Sequence, residues 1–518
     1  MVSRFWILIV LMALTAGNAA AQDARTVLQA TMKAMGAENV KCIQYSGKGY
    51  LGLVGQQYDL KTDWPKIEIS AYSRTINYET NYSLEERTVR QGNYPARGGG
   101  FQPIQGERRD TFLLSGGYAW NLQGGNPVPA PAAVELRQLE ILVTPNGFLR
   151  AAMAANDAKA LTRYESGAIG SLSSLQRRKA TIVSFTALGK YRVNGQINDQ
   201  NMLTRVQTRI ASPVLGDINF ETEYSDYKDF GGVKFPTRFH HHDAFDDETQ
   251  PPNYNGGHNG FDYRLSDVRP NQCGPAPAVP DAVRQAAIPP VRVEPRKIAD
   301  GVWILAGGSS NSIAVEFKDF VTVVEAPVDE VRSIAVIEEV KKLIPDKPIE
   351  YLVNTHHHFD HLGGVRSYVF EGATIITHAL NYEFYKHELI SHEPWTIAPD
   401  RLSLYPPTEL DEGYIFETVD FKHSVNDGSR ILDIYYVQNL AHSNDMLMVY
   451  LPKEKIIIEA DLFTGPAPGA PLPAAPIPSS LTFYDNVKAL KLDVTTIAPI
   501  HGYAYPWADF VKYLGKSE

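Results

Sequence analysis

Four side chains able to bind a metal crowd into six positions in the last third of the 518-residue sequence. They are His356, His358, Asp360 and His361, within Thr355-His356-His357-His358-Phe359-Asp360-His361-Leu362-Gly363-Gly364. An apolar run, Ile349–Val353, precedes them and reads as a buried strand. His356 and His358 are two apart, so in extended backbone they project to one side and can pinch one ion. Asp360 and His361 stand where the chain turns and are aimed to meet a second. Imidazole with carboxylate suits zinc, and paired ions of this kind sit ~3.5–4 Å apart. A histidine-rich polar loop is the ordinary alternative and would be the reading of a lone His-x-His. Four ligand-type residues directly after a strand argue against it.

Three later segments repeat the arrangement of a strand followed by a ligand. Ile434–Leu440 leads to Ala441-His442-Ser443-Asn444-Asp445, and Ile456-Ile457-Ile458 leads to Glu459-Ala460-Asp461-Leu462. Val494–Ile500 runs into His501-Gly502. Strand ends of this kind can gather on one edge of a sheet, where loops carry chemistry.

With these residues in view, the stretch from Val293 to Glu518 resembles the metallo-β-lactamase fold superfamily of metal-dependent hydrolases. Gly301-Val302-Trp303-Ile304-Leu305 resembles that fold's opening strand, and Val323-Val324-Glu325-Ala326-Pro327 occupies its strand-then-acid position. The family commonly shows Asp followed by Gly there, so Glu325 is a departure and a different local turn is expected. The resemblance implies an α/β fold, a four-layer αβ/βα sandwich. It also implies two zinc ions: one held by His356, His358 and His442, the other by Asp360, His361 and His501, with Asp461 bridging. Oxygen-reducing di-iron relatives carry Glu where His358 stands, which favours zinc, with iron and manganese left open.

Elsewhere the sequence sets out what must position these residues. Residues 1–21 read as a signal peptide, with Arg4 as the charged start, Phe5 to Leu14 as a short apolar core and Ala19-Ala20-Ala21 as the cleavage site. A retained membrane anchor is the alternative. No later run reaches ~18 uninterrupted apolar residues, so the mature chain is expected to have no integral membrane span. An exported, periplasmic protein is the expectation. The formal net charge is −10 and no basic run occurs, which makes nucleic acid a poor partner. The two cysteines, Cys42 and Cys273, could pair in an oxidising compartment or remain separate thiols.

Residues 22–269 are expected to form a β-rich (α+β) domain. Residues 23–36 read as a helix with Val27, Leu28, Met32 and Met35 on one side and Gly36 as its stop. Strand-like alternation follows in Cys42–Leu53, Lys66–Ile76, Tyr78–Gln91, Thr181–Val193, Asn201–Ile210 and Ile218–Tyr227. Ala132–Ala155 reads as one helix. The closing segment Lys228–Thr237 is similar to the end of the sheet in periplasmic lipoprotein-carrier domains. That likeness implies a curved antiparallel half-barrel able to hold a lipid-like ligand, against the alternative of a plain filled core. His240-His241-His242-Asp243, with His258 downstream, is read as a solvated strand end rather than a metal site, because consecutive residues in a strand face opposite ways. Seven prolines between Pro270 and Pro295 mark residues 270–295 as a semi-rigid linker. Residues 296–518 then form the catalytic domain.

Within that domain Val331–Leu343 and Tyr484–Leu490 read as helices, and Thr464–Ser480 as a proline-rich loop that either walls the substrate pocket or lies passively on the surface. His357 is expected to point away from the ions, and His378 to be structural. His387, His392 and His423 fit rim or surface roles. Zinc lowers the pKa of water from ~15.7 toward ~7, so hydroxide becomes available, with Asp360 placed to orient it and take its proton. The expected reaction is hydrolysis of a small-molecule ester, thioester, lactone or amide. A β-lactamase is one alternative, although such enzymes usually place Cys or Ser near the position of Asp461. A periplasmic binder of apolar ligands with a structural metal domain is the other.

Overall fold

The computed structural model describes residues 23–100, 102–165, 178–244, 259–390, 394–406 and 416–517. The expected signal peptide, His258 and His392 lie outside these residues. Among the described residues no helix is long and apolar enough to cross a membrane.

Among the described residues, the first helix spans Ala24–Met35. The Asp23 carboxylate caps it by accepting from Arg25 and Thr26 amides, and Gly36 ends it at φ 63°. A thirteen-stranded antiparallel sheet follows, with Asn126–Pro129 at one edge and Lys159–Glu165 at the other. Its first strand, Cys42–Gly52, lies in the middle, paired with Lys66–Asn77 on one side and with the last strand, Asn259–Pro270, on the other. The helices lie against one face, where Leu28, Leu139 and Phe148 share a core with Ile43, Ile69, Val193 and Phe235. Cys42 and Cys273 are joined by a disulfide, which ties the opening of the sheet to its exit.

Several local expectations are corrected. Ala132–Ala155 is two helices, Val134–Leu142 and Pro145–Ala154, because Pro145 has no amide hydrogen and opens the second at its first turn. Thr181–Val193 is a hairpin of Arg178–Ala187 and Tyr191–Asn198 that turns through Leu188 and Gly189, both at positive φ. The strand expected from Tyr78 starts at Tyr82, after a turn in which Asn77 Oδ1 accepts from the amides of Glu79 and Thr80. The linker contains a short helix, Asp281–Arg284, whose Val283 packs with Leu113 and Trp120.

The His240–Asp243 run is not a solvated strand end. It lies inside the strand Lys234–Ala244, which is paired along both sides. His241 is buried and stacked on Phe261, with Nδ1 2.8 Å from Thr222 Oγ1 and Nε2 3.1 Å from Asp243 Oδ1. It lines a cavity of about 200 Å³ whose walls mix Tyr72, Phe261 and Tyr263 with Arg74, Glu85 and Glu140. These charges differ from the apolar face expected of a lipid carrier.

From Glu294 onward the chain forms a seven-stranded and a six-stranded sheet. In the first sheet, the strands Val321–Val324, Ile349–Val353, Thr374–His378 and Phe416–Val419 run parallel in that order. The first three are mostly apolar and largely buried, as strands covered on both faces are, whereas Phe416–Val419 at the edge of the sheet leaves Phe416, Glu417 and Thr418 partly exposed. On the outer face, Val336 and Val340 of helix Glu330–Leu343 and Val365 of helix Val365–Phe370 pack on Val323 and Leu352. On the inner face, Val324, Val353 and Ile376 meet Ile434, Met448 and Ile458 of the second sheet. Helices Pro478–Ala489 and Trp507–Tyr513 close the far side through Phe483 and Phe510. The result is the expected four-layer αβ/βα sandwich, and Pro478 starts its helix inside the segment read as loop.

The β-rich domain is packed against this sandwich. Trp64, Val214 and Leu215 join the core around Leu362 and Ile390. Asp217 accepts from the backbone amides of Thr396 and Ile397, at 3.0 Å each.

Candidate metal centre

The strand Ile349–Val353 ends inside the sandwich, and Asn354 and Thr355 carry the chain across the end of the sheet. Asn354 donates to the His361 carbonyl at 2.9 Å, which folds the segment into a compact turn. The short helix Phe359–Leu362 follows and places Asp360 and His361 on the first turn after His358. His442 follows the strand Ile431–Tyr436, Asp461 follows Ile456–Glu459, and His501 follows Thr496–Pro499. Asp461 itself sits at φ 58°, a left-handed conformation that Asp tolerates better than most residues. The Glu459 carboxylate braces that turn by accepting from Leu462 and Phe463 amides at 2.9 and 3.1 Å, and burial pushes its pKa up to about 8.

All seven expected residues come together in two groups. His356, His358, His442 and Asp461 each offer one ligand atom, all within 4.8 Å of one another, as do Asp360, His361 and His501. Asp461 joins the groups. Its Oδ2 lies 3.2, 3.1 and 3.0 Å from Nε2 of His356, His361 and His442, and its Oδ1 lies 2.9 Å from Nε2 of His501. His356, His358 and His361 are fully buried, whereas the Asp360 side chain is 48% exposed. The centre is therefore open on the Asp360 side.

The partners on the far side of each ring determine which nitrogen faces inward. His358 Nε2 lies 2.9 Å from the Gln57 carbonyl, which can only accept, so Nδ1 keeps its lone pair and faces His356 Nε2 at 3.0 Å. His361 Nδ1 lies 2.9 Å from Glu325 Oε2, leaving Nε2 toward Asp461. His356 Nδ1 meets Thr355 Oγ1 at 3.0 Å, and His501 Nδ1 meets the Ser309 carbonyl at 3.4 Å. Such outer partners orient imidazole ligands at metal sites. Glu325 itself stands at φ 74° and also accepts from the Thr355 amide at 2.7 Å.

The electrostatics suit a cation. Burial, with His361 beside it, pushes the pKa of His356 down to about 4. Burial and the neighbouring His356 and His442 hold that of His358 well below the ordinary range, so both rings are neutral lone-pair donors near neutrality. Around His361, burial works against the charged ring, yet Asp360, Asp461 and Glu325 outweigh it and hold its pKa well above the usual value. Burial opposes ionisation of Asp461 too, but His361 and His442 keep it an anion. His442 Nε2 is buried and makes no hydrogen bond despite its 3.0 Å approach to Asp461. An orphaned imidazole nitrogen facing a carboxylate among three other rings is a donor set that fits a zinc-type ion.

Among the described residues, the remaining histidines stay outside this group. His357 points away: its Nδ1 lies 2.9 Å from Asp445 Oδ1 and its Nε2 2.9 Å from the Gln57 carbonyl. His378 accepts from the Leu380 amide and packs on Tyr436. His387 and His423 pair with Glu383 and Glu417. The proline-rich segment is anchored at its start, where the Gly465 amide donates to the His501 carbonyl at 3.1 Å. Sequence reasoning missed Asp445, Gln56 and Gln57. Asp445 stood in the quoted motif next to His442, and a buried His357 in need of a carboxylate would have found it. Nothing in the local pattern around Gln56 and Gln57 marks them.

Residues 305–501 match the family described as the metallo-beta-lactamase superfamily, so the C-terminal half carries a domain of that superfamily. Among solved structures, the chain is similar to a metallo-beta-lactamase from Pontibacter korlensis, at 19% identity over 43% of this chain and 98% of that one, with TM-score 0.32. It is similar to the metallo-beta-lactamase FIM-1 from Pseudomonas aeruginosa in its mono-zinc form, at 22% identity over 43% and 93%, with TM-score 0.32. A metallo-beta-lactamase from Hirschia baltica aligns at 18% identity over 44% and 99%, with TM-score 0.31. No curated protein matches the chain.

Proposed function

We propose that the metallo-beta-lactamase superfamily domain is an exported di-zinc hydrolase acting on a small-molecule ester, thioester, lactone or amide. His356, His358 and His442 would hold one ion and Asp360, His361 and His501 the other. The observation that carries this reading is the Asp461 carboxylate, which touches rings of both groups through its two oxygens. When bound, the ions would supply Lewis acidity and a hydroxide nucleophile at neutral pH.

The chain's own residues do the rest. Asp360 stands at the open side of the centre, with Oδ1 accepting from Gln56 Nε2 at 2.7 Å and Oδ2 3.5 Å from His361 Nε2. Burial opposes its charge, but His361 keeps its pKa below the usual carboxylate range, so it is ionised near neutrality and presents a carboxylate on the open side. Glu325 and the Gln57 carbonyl hold the rings of His361 and His358 in register. Export is supported by the Cys42–Cys273 disulfide, which belongs to oxidising compartments.

The test is a substrate panel of esters, thioesters, lactones, amides and β-lactams, run on wild type beside Asp360→Ala, with metal analysis. About two zinc per chain, chelator-sensitive turnover and a folded but inactive variant are expected. Equal turnover by both proteins, or turnover untouched by chelator, would overturn the reading. β-Lactam turnover above that of the other classes would narrow it to a lactamase.

A further inference from the structure

The β-rich domain does more than flank the metal centre. Strand Cys42–Gly52 leaves the thirteen-stranded sheet and runs into a loop closed at its neck by the Leu53 amide, which donates to the Pro65 carbonyl at 2.9 Å. Five consecutive residues of that loop each reach a ligand-bearing segment of the other domain. The Gly55 carbonyl accepts from the Phe359 amide at 3.2 Å. The Gln56 side chain donates to Asp360 at 2.7 Å, and the Gln57 carbonyl faces His357 and His358 Nε2 at 2.9 Å each. The Tyr58 carbonyl accepts from the Asn444 amide at 3.0 Å, and Asp59 Oδ2 accepts from the Asn444 side chain at 3.0 Å.

A second segment clamps the loop from behind. The Gly98 amide donates to the Ala441 carbonyl at 3.0 Å and the Gly99 amide to the Gln56 carbonyl at 2.9 Å, while Arg97 lies over the Tyr58 ring. The fit leaves no room for larger residues. A Cβ on Gly99 would lie 2.0 Å from Gln56 Oε1 and 2.8 Å from His358 Cε1. One on Gly55, at φ 71°, would lie 2.2 Å from Phe359 Cγ.

We infer that the loop 53–60 of the β-rich domain is a working part of the metal centre, in which the Gln57 carbonyl orients His358 and Gln56 is the positioning residue for Asp360. This inference rests on the metal-dependent reading above. An amide that donates to Asp360 Oδ1 holds the carboxylate so that its other oxygen stays toward His361 and the second ion. Without that donor, Asp360 can rotate toward solvent on the open side. The centre would therefore be assembled across two domains, and its second ion would depend on a residue 304 positions earlier in the chain.

The experiment uses the full-length protein and Gln56→Met, which keeps the side-chain length and removes the donor. Zinc affinity is measured by chelator competition, and the cobalt-substituted proteins are compared by visible absorption. Outer partners of metal ligands are worth ~10–100-fold in affinity. The expected result is an unchanged first ion, a second ion weakened at least ~10-fold, an altered cobalt spectrum and an unchanged thermal midpoint of the metal-free protein. Gly99→Ala, which crowds His358, is expected to weaken the first ion as well. Two ions bound at wild-type affinity by Gln56→Met, with the wild-type spectrum, would overturn this inference alone. A wild type that takes up no cation would overturn the metal-dependent reading, and this inference with it.

Discussion

Nδ1 of His361 and Oε2 of Glu325 lie 2.9 Å apart, both fully buried, and they join the strand-then-acid turn to the centre of the metal site. Glu325 performs this role from a left-handed backbone conformation, which costs ~1–3 kcal/mol outside glycine and persists where the surroundings enforce it. The carboxylate compensates by accepting from both the Thr355 amide and His361. In Glu325→Gln, one end of the amide can still accept from Thr355, but the other presents a donor to a donor. Zinc affinity of the second ion is expected to fall ~10–100-fold, read by chelator competition, with circular dichroism unchanged. Wild-type affinity in this variant would mean that the ring needs no such partner.

Asp445 is expected to be the larger structural contributor. It is fully buried, accepts from the His357 amide at 2.9 Å and from Asn381 Nδ2 at 2.6 Å, and faces the His357 ring. Burial opposes its charge, yet His357 and Ser443 hold its pKa far below the usual range. Removing the carboxylate leaves the His357 amide, the His357 ring and Asn381 Nδ2 buried without their acceptor, so Asp445→Ala should lose roughly 1–3 kcal/mol for each in denaturant unfolding. A loss under ~1 kcal/mol, the scale of one ordinary hydrogen bond, would show that these buried donors do not depend on Asp445.

Away from the metal centre, pH acts through Asp400. Its carboxylate engages the Arg366 guanidinium through Nε and, at 3.0 Å, through Nη2, and that guanidinium also lies over Trp395. Burial would raise the pKa of Asp400, but Arg366 and Ser403 lower it below the ordinary value. A carboxylate with a depressed folded-state pKa contributes stability that is fully present above its unfolded value, ~3.9, and is lost as pH falls through the folded value. The stability difference between wild type and Asp400→Asn is therefore expected to be constant from pH 5 to 7 and to shrink below about pH 4. A difference that instead grows on acidification would contradict the assignment.

The metal ligands were legible because each follows an apolar strand run, so types and order survive without knowledge of the packing. The sandwich was legible for the same reason, since its buried strands, such as Val321–Val324 and Ile456–Glu459, are short and rich in Val and Ile. The β-rich domain was harder. The hairpin at Leu188-Gly189 turns on a glycine that does carry a turn signal, as do Gly116-Gly117 and Gly124-Gly125 beside the unread strands Arg108–Ser115, Tyr118–Gln123 and Asn126–Pro129. His241 looked solvated because its neighbours are polar, and only pairing on both sides buries it. Gln56 carried no signal at all: glutamine is chemically unremarkable in sequence, and its partner is on the other domain.

The disulfide makes the last prediction. Cys42 and Cys273 are 231 positions apart in sequence, and their Cα atoms are 6.2 Å apart. They stand at the central pairing of the sheet, where its first strand meets its last. Closing so long a loop removes much of the freedom of the unfolded chain, so Cys42→Ser with Cys273→Ser should cost ~2–5 kcal/mol. Thermal unfolding of wild type in reductant should shift to the midpoint of the double variant, and the double variant should ignore reductant. The loop carrying Gln56 continues directly from the Cys42–Gly52 strand. Yet the strand keeps its hydrogen bonds on both sides without the cross-link. Zinc affinity at temperatures well below the midpoint is therefore expected to be unchanged. A weaker second ion in the reduced, folded protein would show that the cross-link also holds the metal centre together.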